Sequence, residues 1–96
     1  MTRPVRIGEG VDTDIGNQLD GAPARDFRRY DLAAASALLA RDGVWEALPS
    51  HGGGRRLTVE GITVGAFHLF VAADPFGPER ALVVYAIDIW PDGFPA

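Results

Sequence analysis

Apolar positions along the chain change period twice, and each period predicts a different element. Over residues 23–41, Phe27, Tyr30, Ala34, Ala37, Leu38 and Arg41 recur at helical spacing, which predicts one long helix with a mostly apolar inward stripe. Pro23 suits its first turn, Asp26 the positive end of its dipole, Arg41 the negative end, and Gly43 its stop. V-W-E-A-L, residues 44–48, predicts a short second helix that Pro49 ends. From residue 55 the period falls to two. R-R-L-T-V-E (55–60), I-T-V-G-A-F-H-L-F-V-A-A-D (62–74) and A-L-V-V-Y-A-I-D-I-W (81–90) read as three long strands. D-P-F-G-P-E-R is the turn-rich connection before the last of them.

The first 24 residues carry neither period clearly. P-V-R-I is short and β-branched, and predicts a brief strand at a sheet edge. G-E-G-V-D-T-D-I-G-N-Q-L-D-G-A-P, rich in Gly, Asp and Asn, reads as an irregular loop. The expected fold is thus a single α+β domain: short strand plus loop (1–24), helical segment (25–48), antiparallel meander of three long strands (55–90). One long and one short helix pack on that sheet.

Register sets which side chains share a face. A tight turn at Glu60–Gly61 pairs Leu57 with Val64 and brings Arg55 near Ala66. A turn centred between Phe76 and Gly77 sets His68 opposite Tyr85 and Phe70 opposite Val83. One face then reads Leu57, Val59, Val64, Phe70, Ile87 and Ile89, the expected core, with Arg55, His68 and Tyr85 among them. The opposite face carries Phe67, Leu69, Val84 and Trp90, too apolar to be left in water. These four are the expected interaction residues, for a protein partner or for self-association as a homodimer.

Composition narrows the partners. At 96 residues the chain is one small domain, burying only about two-thirds of its unfolded surface. There is no cysteine, hence no disulfide and no thiolate metal site. No run approaches the roughly 20 apolar residues of a membrane span, and the N-terminus lacks the apolar core of a signal peptide, so a cytoplasmic setting is expected. D-T-D-I-G-N lacks the spacing of a calcium loop, and two histidines without a spacing motif do not make a metal site, so neither metal nor cofactor is expected. The net charge of −4 opposes general nucleic-acid affinity. All nine basic residues are arginine, which suits bidentate recognition of phosphate or carboxylate; coding bias accounts for the same usage.

Arg55, Arg56, His68 and Tyr85 are the candidate catalytic residues. A histidine moves protons near neutral pH, an arginine stabilises charge on a phosphate, and a tyrosine hydroxyl orients or donates. A histidine and a tyrosine in an apolar face are also what satisfied core residues look like. S-H-G-G-G-R-R, residues 50–56, is not a nucleotide-phosphate loop, because its glycines lead into a strand rather than a helix and no lysine follows. They read as a flexible joint between the helical layer and the sheet.

The order strand, helix, short helix and three antiparallel strands resembles the RelE/ParE toxin superfamily over about residues 25–90. V-G-A-F-H-L-F-V-A-A-D looks like that family's glycine, aromatic, basic, aliphatic, aromatic, acidic-turn strand. L-P-S-H-G-G-G-R-R-L looks like its lead-in to the sheet, and A-L-V-V-Y-A-I like its next strand. The resemblance implies a bacterial toxin acting on messenger RNA at the ribosome or on gyrase, and an antitoxin partner. It sets His68 where the family often has arginine, Phe70 where it often has tyrosine, and Arg55 and Arg56 at basic positions entering the sheet. The alternatives are a non-catalytic acidic module of the immunity or inhibitor type, and a small homodimeric domain.

Overall fold

The computed structural model describes residues 2–95. It is α+β, with helices against one face of a five-stranded mixed sheet ordered β1-β5-β4-β3-β2. The strands are β1 (Val5–Ile7), β2 (Ser50–His51), β3 (Gly54–Glu60), β4 (Ala66–Ala73) and β5 (Leu82–Trp90). The long meander β3-β4-β5 is antiparallel, as expected; β1 joins β5 in parallel at one edge, and the unforeseen β2 pairs with β3 at the other.

The stretch read as an irregular loop is helical: α1 runs Glu9–Gln18. Val11, Ile15 and Leu19, each four residues on from the last, are buried, and that stripe is enough to dock the helix despite its glycines and aspartates. Arg28 fixes α1 from outside, donating from Nε to the Asp12 carboxylate at 2.8 Å and from Nη2 to its carbonyl at 3.0 Å.

The long helix is one continuous rod of three parts: α2 (Gly21–Asp26), a π-helical turn (Phe27–Leu32) and α3 (Ala33–Leu39), with right-handed helical backbone at every joint. The wide turn holds one extra residue and rotates everything after it by roughly 100°. The expected stripe of Tyr30, Ala34 and Ala37 is therefore exposed, while Ala24, Phe27, Leu32, Ala35 and Leu39 are buried. The short second helix is present as α4 (Val44–Ala47), entered through Gly43 at φ 85°.

The same turn places Asp31 in the interior at 1 % exposure. Its carboxylate accepts from the Ile62 amide at 2.9 Å, the Thr63 amide at 3.0 Å and the Thr63 hydroxyl at 2.8 Å. That anchor holds residues 61–65 as a loop closed by the Gly61 amide on the Gly65 carbonyl at 3.0 Å. A two-residue turn does not form. Leu57 consequently faces Leu69 and not Val64, and Arg55 faces Val71 and not Ala66.

A β-bulge between Phe70 and Val71 makes the second correction. Val71 pairs with Val84 and Phe70 with Ala86, so Tyr85 is the extra residue, and His68 lies opposite Asp88 rather than Tyr85. An odd register shift exchanges the faces of a strand. Phe67, Leu69, Val71, Val84, Ile87 and Ile89 thus join Val11, Ile15, Phe27 and Leu39 in one core. Phe67 and Phe27 meet edge to face with ring centroids 4.9 Å apart. Three of the expected interaction residues, Phe67, Leu69 and Val84, are each 0 % exposed: they are the core under the helices, and present no surface to a partner.

Candidate functional site

The sheet face turned away from the helices carries the chemistry. β2 contributes His51, β3 Arg56 and Thr58, β4 His68 and Phe70, and β5 Tyr85, Asp88 and Trp90; Phe94, just past β5, folds back onto the same face. Period-two alternation brings them together, because Arg56, Thr58, His68, Phe70 and Asp88 all point opposite to the buried set.

The three glycines serve this face as a hairpin turn and not as a flexible joint. His51 pairs with Gly54, Gly52 adopts φ 57°, and a Cβ at Gly54 would overlap the Val71 carbonyl. That approach lays the His51 ring against Phe70 at 4.6 Å between centroids.

Phe70 is the centre of the patch. The His68 ring is 6.2 Å from it and the Tyr85 ring 6.5 Å. His68 is further stacked on Phe94 at 4.5 Å with 23° between planes, and its Nδ1 shares a hydrogen bond of 3.0 Å with the Thr58 hydroxyl. The Trp90 indole N–H donates to the Asp88 carboxylate at 3.0 Å. Tyr85, Phe94 and Trp90 stay 45 %, 38 % and 36 % exposed.

Burial holds the His68 imidazole below its ordinary value; the positive charge of Arg56 adds to the depression, Asp88 opposes it, and His51 contributes slightly. His68 is therefore neutral at pH 7 and able to accept a proton. The Arg56 Nε is buried without a hydrogen-bond partner, so its guanidinium is not consumed by a salt bridge at that atom. Arrayed so, the face can stack planar groups, receive an anion beside Arg56, and move a proton at His68.

Of the residues expected from sequence, Arg56, His68, Tyr85 and Trp90 share this face. Arg55 does not: it lies on the helix side, donating from Nη1 to the Trp45 carbonyl at 2.7 Å and stacking over the Trp45 ring at 4.7 Å, away from the open face. His51, Thr58, Asp88 and Phe94 were not in the expected set. P-D-G-F was the available signal for Phe94, since a Gly-containing turn there sends the chain back.

Among the described residues no helix is long and apolar enough to cross a membrane, and no group of three or more His, Asp or Glu is placed to hold a metal ion. Comparison with family models, with curated proteins and with solved structures gave no match to this chain.

Proposed function

We propose that this is a toxin-type domain of the RelE/ParE kind, a bacterial cytoplasmic protein that acts on translation or gyrase and is neutralised by an antitoxin. The observation that carries the reading is the gathering of Arg56, His68 and Tyr85 on one open sheet face, from three adjacent strands, with burial and Arg56 lowering the basicity of His68. In the ribonuclease form of this activity His68 takes the proton of an RNA 2′-hydroxyl. The 2′-oxygen attacks phosphorus, Arg56 stabilises the charge on the phosphoryl oxygens, and the P–O5′ bond breaks, the 5′-oxygen taking a proton from water and leaving a 2′,3′-cyclic phosphate behind. Tyr85 orients the phosphate.

Induced expression tests it. Wild type arrests growth, co-expression of the adjacent open reading frame restores it, and Arg56→Ala and His68→Ala relieve arrest at equal soluble level. Normal growth with abundant soluble wild type, or arrest undiminished in His68→Ala, refutes the reading.

The second reading is a non-catalytic binding module. It is favoured by the exposed Tyr85, Trp90 and Phe94 together with the net charge of −4, which steers association toward basic partners. A stable complex with a basic protein that Trp90→Ala abolishes, without any growth effect, selects it.

A further inference from the structure

The segment 91–94 lies over the open face as a short strap. Its turn is closed by the Gly93 amide on the Trp90 carbonyl at 3.0 Å, with Gly93 at φ 88°. The Gly65 amide pins it from the side, donating to the Pro91 carbonyl at 2.7 Å, and a Cβ at Gly65 would overlap the Gly93 backbone. The strap delivers the Phe94 ring flat onto His68 at 4.5 Å and edge-on to Trp90 at 5.6 Å.

Two features separate this contact from core packing. Phe94 is 38 % exposed and lies outside the buried core, so its departure opens no cavity among the core residues. It also covers the one imidazole on the face whose Nδ1 is already held, by Thr58.

We propose that the strap is a removable cover over His68: a ligand that reaches the imidazole displaces Phe94, and the Phe94 ring marks the place a planar group of that ligand takes. The inference rests on the open face being the working surface, and not on the reaction named above. Its test reads His68 directly and is independent of any growth effect.

In the full chain, the imidazole C–H resonances are titrated by NMR and the histidines are modified with diethyl pyrocarbonate, each site being followed by peptide mapping. Exposed His51 is the internal reference. Arg56, Asp88, His51 and Thr58 still face His68 in a Phe94→Ala variant, so a change there reports the lost cover. The expected result is a His68 titration displaced upward and a His68 modification rate several-fold faster, with the His51 modification rate unchanged and the urea midpoint close to wild type. Gly93→Val, which strains the turn at a positive φ, reaches the same outcome by a second route. Wild-type titration and modification of His68 in both variants overturns the proposal.

Discussion

Two residues decide most of what the site can do, and each makes a measurable claim. Asp31 is a buried carboxylate whose oxygens satisfy the Ile62 and Thr63 amides and the Thr63 hydroxyl. Asp31→Ala strands those donors, at a cost of about 3 kcal/mol, read as a lowered urea midpoint with faster amide exchange at Ile62 and Thr63. A loss under about 0.5 kcal/mol means the loop holds itself, and the account of the β3–β4 register is then wrong. His68 makes the second claim. Burial and the charge of Arg56 hold its folded pKa below the ordinary imidazole value of about 6.5, so the unfolded chain binds a proton that the folded chain refuses. Stability therefore rises with pH across the interval from the folded value to about 6.5 and is level above it. Acidification from pH 7 to pH 5 lowers the urea midpoint of wild type more than that of His68→Gln. Asp74 titrates in a separate window, since the hydrogen bond from Arg6 and the Phe76 amide hold it below 3.8. Its contribution is present above that value and is lost only at lower pH. Equal slopes for wild type and His68→Gln between pH 7 and pH 5 contradict the assignment.

Elements were legible in proportion to how far local pattern alone fixes them. β3, β4 and β5 appear where alternating apolar residues put them, α4 ends before Pro49, and β1 lies at an edge. What failed was periodicity interrupted by one residue. The π turn rotates the helical stripe after Phe27, and the bulged Tyr85 exchanges the faces of half of β5. Neither extra residue has a composition signal; each is specified by what it packs against, Asp31 against the 61–65 loop and Tyr85 against the open face. α1 was hidden for another reason: a three-residue apolar stripe was outvoted by glycine and aspartate. Its job is visible only in three dimensions. β1 covers β5 at Leu82, Val83 and Val84 alone. Beyond them Gln18 substitutes for a strand, its side-chain oxygen accepting from the Ile89 amide at 2.8 Å and its amide donating to the Ile87 carbonyl at 3.2 Å. Gln18→Ala costs about 1 kcal/mol and speeds exchange at the Ile89 amide, while Gln18→Glu keeps the acceptor and loses only the donor. Unchanged exchange at Ile89 in Gln18→Ala removes the side chain from the edge.

For the whole molecule the central consequence is that the sheet has one dry face and one open face: the sequence placed Leu57, Ile87 and Ile89 correctly on the dry one and reversed β4 and the first half of β5. Both faces are rich in apolar and aromatic residues, so hydrophobicity could not rank them; register could, and it turned on Asp31 and Tyr85. The candidate site was half legible for the same reason. Arg56, His68 and Tyr85 were chosen for their chemistry and do share a face, whereas Arg55 was chosen with them and points into the helical layer. A paired truncation experiment measures the difference. Leu69→Ala and Phe67→Ala remove core side chains that are 0 % exposed, Phe67 directly against Phe27, and leave cavities at a cost of about 3–4 kcal/mol each. Trp90→Ala removes a larger side chain from the open face and costs about 1–2 kcal/mol, because a third of the residue is already in water and it belongs to no buried cluster whose packing its loss would empty. In a domain of this size each kcal/mol moves the melting temperature by about 4–8 °C. Leu69→Ala and Phe67→Ala should therefore each melt more than about 12 °C below wild type, with Trp90→Ala lowered by about half as much or less. If Trp90→Ala loses as much as Leu69→Ala, the open face is a second core, and both the site and its cover fall with it.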